Sequence, residues 1–189
     1  YSLSEEDLQS YEALDFFIEV NRYKNAGEAQ DLPAASEACF SIKEHIKSVN
    51  KRIKNLEKVN DDSDANQKAI LSIKKELSKE WKKALKHMGK FTAEFKINPD
   101  KKISNDETCI SPSDFGYHNA ILNKSGKLIF IDFEYAGWDD PAKMACDFFC
   151  QPEVPIPIKY LDLFIKSVAN AVPNPQKFKS RVIALLPLY

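Results

Sequence analysis

The sequence predicts an α+β chain that is mostly helical, built on a long helical hairpin and one small β-hairpin. Two observations predict it. Apolar residues recur at helical spacing through most of the chain. The span Ser111 to Gly137 departs from that spacing and shows strand-like runs, Ala120 to Leu122 and Leu128 to Ile131, around the turn Asn123-Lys124-Ser125-Gly126.

Taken in order, Ser4 reads as a helix cap and Glu5, Glu6 and Asp7 as an acidic first turn. Leu8, Tyr11, Leu14, Phe17 and Ile18 give that helix its apolar face to about Lys24, and Ala26-Gly27-Glu28 stops it. Leu32-Pro33 opens a second helix, with Pro33 near its first turn. Its seam is Phe40, Ile42, Ile46, Val49, Ile53 and Leu56, at heptad-like steps. Asn60-Asp61-Asp62-Ser63-Asp64 breaks the seam. A third helix then carries Ile70, Ile73, Leu77, Trp81, Leu85 and Met88. Two seams joined by a short polar link predict an antiparallel helical pair.

Lys96 to Thr108 reads as a loop turning at Asn98-Pro99-Asp100. Cys109-Ile110 leads into the strand-like span. Asp140-Pro141 begins a helix to about Phe149. The prolines of Gln151 to Pro157 forbid regular helix and give an extended connector. Ile158 to Ala169 and Pro175 to Leu186 complete the prediction as two further helices.

The 189 residues suffice for one domain or for one lobe of a larger enzyme. Lys plus Arg is 27 against 28 for Asp plus Glu, and a net charge of -1 argues against bulk nucleic-acid affinity. Charge is unevenly spread. From Lys43 to Lys90 bases outnumber acids, which reads as a solvated helix face or as a face for an acidic substrate or partner. His45 and His87, on these helices, read as surface or partly packed histidines. No apolar run is long enough to cross a bilayer. The polar, acidic beginning of the chain lacks the look of a signal peptide, so the expectation is a cytoplasmic protein. Its four cysteines, at 39, 109, 146 and 150, are then reduced and buried in the core.

Chemistry concentrates in the strand-like span. Asp114 is followed five positions later by Asn119, and Asp132 opens Asp-Phe-Glu. A turn centred between Ser125 and Gly126 places Asn119 directly across from Asp132, with Asp114 on the loop just before. Two carboxylates and an amide oxygen converging on one point suit a hard cation, Mg²⁺ above all. Asp114 then remains to orient an attacking hydroxyl and accept its proton, which is the layout of phosphoryl transfer by the kinase route.

Asp-x-x-x-x-Asn, a hairpin, then Asp-Phe-Glu resembles the catalytic and metal-binding segment of protein-kinase-like phosphotransferases. The run Ile131 to Gly137, with Asp140-Pro141-Ala142 after it, is similar to the aminoglycoside phosphotransferase and choline kinase branch. The likeness covers roughly Cys109 to Phe149. It implies the carboxy-terminal lobe of a small-molecule kinase, with Asp114 as catalytic aspartate, Asn119 and Asp132 as Mg²⁺ ligands, ATP as co-substrate and a small-molecule hydroxyl as acceptor. The sequence departs from the pattern in two places. Pro112-Ser113 stands where the family has His-Gly, and Met144 where it often has an Asp, with Asp147 one turn on. Where the family often has a His two residues past its catalytic Asp, this chain has Gly116, and His118 receives no role. Tyr135 and Trp138 are candidates for the substrate side.

A complete enzyme of that branch also carries a β-rich lobe that anchors ATP. The five glycines, at 27, 89, 116, 126 and 137, form no phosphate-covering loop. The expectation is therefore a single helical C-lobe over residues 1–189, with the nucleotide-anchoring lobe absent. The alternative is a non-catalytic kinase-like module that binds a partner through its basic helices.

Overall fold

The computed structural model describes residues 5–56, 58 and 63–189. The expected cap Ser4 and most of the polar link, Asn60, Asp61 and Asp62, lie outside the described residues. The fold is α+β and mostly helical. Its helices are α1 (Glu5–Arg22), α2 (Ile42–Leu56), α3 (Asp64–Ser72), α4 (Ser78–Glu94), α5 (Pro141–Phe149), α6 (Leu161–Ala171) and α7 (Pro175–Leu185). Its strands are β1 (Cys109–Ser111), β2 (Ala120–Leu122), β3 (Leu128–Phe130) and β4 (Gly137–Asp139). Among the described residues no helix is long and apolar enough to cross a membrane. By internal contact the chain divides into two compact units, Tyr1–Cys39 with Ile103–Val182, and Phe40–Lys102 with Ile183–Tyr189.

The first unit holds all four strands. β1 pairs antiparallel with β4, Cys109 opposite Asp139 and Ser111 opposite Gly137, and β2 pairs with β3. The β1–β4 ladder is absent from the sequence reading, because three-residue strands are too short for alternation to show. Pro33 to Ala35 extends that ladder. Ala34 bridges Trp138 in parallel, Trp138 N donates to Pro33 O at 2.9 Å, and Ala35 N donates to Trp138 O at 3.0 Å. This corrects the expected helix start at Leu32-Pro33. The chain there is extended, as the residue before a proline prefers.

The core of this unit is an aromatic chain. Phe115 stacks on Phe148 at 4.6 Å and Phe148 on Phe164 at 5.2 Å, while Phe16 of α1 stacks on Phe130 at 4.6 Å. Burying one such ring contributes about 1.5–3 kcal/mol. On α1, Ala13, Leu14 and Phe17 are buried. At its end Asn21 acts as a surrogate strand partner, its amide donating to Ile110 O at 2.9 Å and accepting from Ile110 N at 2.8 Å.

α5 starts as expected, with Pro141 in its first turn and Asp140 as cap, Oδ1 accepting from Ala142 N at 2.9 Å. The helix is buried almost all round, charges included. Arg181 donates to Asp140 Oδ2 through both Nε and Nη2. Lys143 lies between Asp139, at 3.1 Å, and Asp147, at 2.5 Å. Burial alone would lower the Lys143 ammonium's pKa, but Asp147 and Asp139 outweigh it and the net shift is upward.

In the second unit α2 begins at Ile42, later than expected. Ser41 and Glu44 form a capping box. Ser41 Oγ accepts from Glu44 N at 3.2 Å, and Glu44 Oε2 accepts from Phe40 N at 2.7 Å and Ser41 N at 3.1 Å. The Ser-x-x-Glu signal at 41–44 was present in the sequence. The third expected helix is α3 and α4 joined by a π-helical turn, Ile73–Leu77, with Ser63 as cap. The α2 seam thins outward, from buried Ile42 to exposed Leu56. Asn50 Oδ1 accepts from Trp81 Nε1 at 2.9 Å, tying α2 to α4. His45 is buried beside Tyr189, deeper than the surface or partly packed place expected of it, whereas His87 is exposed.

Candidate functional site

Phe115 fixes the loop that carries Asp114. Its ring is buried in the aromatic chain, and Asp114, just before it, is held at the surface above it. Ser111 Oγ accepts from Ser113 N at 3.1 Å, and Ser113 takes a left-handed backbone, φ 74°. Asp114 follows with its side chain mostly exposed. A single 3-10 turn, Tyr117–Asn119, then leads into β2.

Asn119 belongs to both the loop and the hairpin. Its Nδ2 donates to Asp114 O at 3.0 Å, and its own carbonyl accepts from Ile131 N at 2.9 Å. With the amide nitrogen so used, Oδ1 is the end of the side chain without a partner among the described residues. The structure thus brings Asp114 and Asn119 together, through a side-chain-to-backbone bond that spacing alone does not reveal.

The hairpin register differs from expectation by one residue. Ala120 faces Phe130 and Leu122 faces Leu128, so Asn119 stands opposite Ile131, not Asp132. The loop is the reason. Asn123 N donates to Lys127 O and Gly126 N to Asn123 O, each at 2.9 Å, and Asn123 Oδ1 accepts from the backbone of Ser125 and Lys127. Lys124, Ser125 and Gly126 therefore form a three-residue loop centred on Ser125, with Gly126 left-handed at φ 80°. A one-residue slip moves a strand residue to the other face. Asp132 escapes that consequence because it has left strand geometry, at φ 64°. It sits exposed at the same open end of the hairpin as Asn119, with no hydrogen bond joining the two.

Around Asp132 the field is negative. Glu134, first through a hydrogen bond and then through its charge, raises the pKa of the Tyr135 phenol, and Asp132 adds to that rise. Tyr135 is exposed, and Trp138 is half-buried in β4. Oxygen donors in a negative field fit a hard divalent ion. Among the described residues no three His, Cys, Asp or Glu side chains gather around one point, so any such ion would rely on the Asn119 amide. No family model, no curated protein and no solved structure matches this chain.

Two further residues belong to the site. His118 Nε2 lies 3.2 Å from Asp114 Oδ1, and Gln151 Nε2 lies 3.4 Å from the same oxygen and 3.3 Å from His118 Nε2. The Asp114 to His118 separation of four residues was legible in the sequence. Gln151, on the connector after α5, carried no signal at all.

Proposed function

We propose that this chain carries the catalytic and metal-binding part of an ATP-dependent phosphotransferase, a kinase-like carboxy-terminal lobe that moves a phosphoryl group to a substrate hydroxyl. The observation that supports the reading most is where the backbone is strained. Among the described residues only Lys96, Ser113 and Asp132 are non-glycine residues with left-handed φ. Two of the three are Asp132 itself and the neighbour of Asp114. Left-handed geometry at a residue other than glycine costs of order 1–3 kcal/mol and persists where surrounding structure holds it, commonly at functional sites.

In this reading Asp114 orients the acceptor hydroxyl and takes its proton, from a mobile-solvent side and above a rigid aromatic base. Asn119 Oδ1 and the Asp132 carboxylate hold Mg²⁺. When bound, that ion neutralises charge on the nucleotide phosphates.

The metal claim is tested first, with Mn²⁺ as a paramagnetic probe of this chain in solution. The expected result is selective broadening of the amide signals of Asn119 and Asp132, lost in Asp132→Ala. Uniform broadening, or none, removes the metal site. Calorimetric titration of Mg²⁺·ATP into the full-length protein separates the enzyme from a non-catalytic binding module, which takes up no nucleotide.

A further inference from the structure

We infer that His118 and Gln151 are positioning residues that clamp one carboxylate oxygen of Asp114 and leave the other open. The clamp's purpose rests on the phosphotransferase reading, but its existence rests on geometry.

Both side chains approach the same atom, Asp114 Oδ1, from different parts of the chain, His118 at 3.2 Å and Gln151 at 3.4 Å. Gln151 is oriented by its other end, where Oε1 accepts from Glu153 N at 3.2 Å, so the group facing Asp114 is the amide nitrogen. The His118 side chain is only 9% exposed, and its Nδ1 is buried with no hydrogen-bond partner. The contacts favour one tautomer. With the proton on Nδ1, Nε2 would accept from Gln151 Nε2 at 3.3 Å, but a buried N–H would lack an acceptor and a lone pair would face the carboxylate. With the proton on Nε2, the ring donates to Asp114 and only a lone pair goes unused, which costs less.

Gly116 makes room for this. A β-carbon there would stand 2.7 Å from His118 Nδ1, 2.8 Å from its Cε1 and 3.3 Å from Gln151 Cγ. The ring lies against a backbone that only glycine leaves bare. Asp114 is then held at two points, its carbonyl by Asn119 Nδ2 at 3.0 Å and its Oδ1 by the clamp. An exposed aspartate otherwise divides its time among rotamers. This one is confined with a single oxygen, Oδ2, turned to whatever binds, which is the preorganisation that a proton acceptor needs.

The test has two arms. Imidazole ¹⁵N spectra of the native chain should show His118 as the Nε2–H tautomer, and Asp114→Ala should move that Nε2 signal while the thermal unfolding midpoint stays put. An Nδ1–H tautomer, or a signal indifferent to Asp114→Ala, overturns the clamp. The second arm is a radiometric assay of the full-length protein with ATP and a panel of choline, ethanolamine, glucose and kanamycin. There His118→Leu should lower turnover about 10²-fold with KM for ATP unchanged, the size of a small misplacement. It should cost nothing further in an Asp114→Ala background. Equal losses in both backgrounds overturn the clamp. If Asp114→Ala itself costs nothing, the phosphotransferase reading falls, and the spectra alone then decide the clamp. Gly116→Ala, which crowds the ring without removing it, should move the His118 Nε2 signal as Asp114→Ala does.

Discussion

Pro33 O lies 2.3 Å from the point a β-carbon would occupy on Gly137. Ala35 N and the Ala34 carbonyl carbon are nearly as close, at 2.7 and 2.9 Å. These are backbone atoms bound on both sides, through Trp138 N to Pro33 O and Ala35 N to Trp138 O, so they cannot step aside. Gly137→Ala should therefore destabilise the chain by about 1–3 kcal/mol, the usual range for overpacking. Urea unfolding measures it, and an unchanged midpoint would mean that the Pro33–Ala35 segment does not lie on β4.

A buried acid, Asp139, and a half-buried one, Glu107, should make stability depend on pH with opposite signs. Burial pushes Asp139 up, against the pull of Lys143 and of Asp140 N, from 3.8 to about 6. Its folded value exceeds its unfolded one, so ionised Asp139 is a burden above pH 6 that is relieved as pH falls through 6 toward 3.8. Native protein should gain stability relative to Asp139→Asn over that interval. Glu107 behaves in reverse. Burial raises it, but the Lys177 ammonium at 2.5 Å and the backbone N–H and hydroxyl of Ser104 bring it down from 4.5 to about 2. Its contribution is full above pH 4.5 and is lost as pH falls toward 2, so native protein should lose stability relative to Glu107→Gln there. Urea titrations at stepped pH that run parallel for native and variant would refute either assignment.

Asp132 offers a separation of stability from function. Its left-handed backbone costs a non-glycine residue free energy that glycine does not incur. Asp132→Gly should leave stability unchanged or raise it by up to about 1 kcal/mol, while abolishing the Mn²⁺ effect. Asp114→Ala should spare Mn²⁺ binding and lower turnover roughly 10²–10⁴-fold in the full-length protein. A folded Asp132→Gly protein that still takes up Mn²⁺ at Asn119 removes Asp132 from the metal site.

The thiols divide unevenly. Cys39, Cys109 and Cys146 are buried as expected, but Cys150, just past the end of α5, is exposed. Burial holds the Cys109 and Cys146 thiols well above their usual range. Iodoacetamide on native protein should therefore modify Cys150 alone at first, read by mass spectrometry of peptides. Early labelling of Cys109 or Cys146 would show that β1 or α5, respectively, is not packed as described.

The helices were legible because each carries its own evidence: the capped start of α5 at Asp140-Pro141, the seams of α2 and α4, the stripe of α6. Local chemistry also announced the hairpin, since Asn123 and Gly126, flanked by strand-like runs, favour a turn. What local chemistry left open was the size of the loop, and one residue there decided whether Asn119 faced Asp132 or Ile131. Contacts between distant segments were beyond the sequence for a plainer reason. Pro33 against Gly137, Asn21 against Ile110 and Gln151 against Asp114 join positions with no shared period or spacing, and only packing brings them together. The sequence alone determined which residue types stand between Asp114 and Asp132, and the tertiary structure decided which atoms they present to one another and brought Gln151 to them.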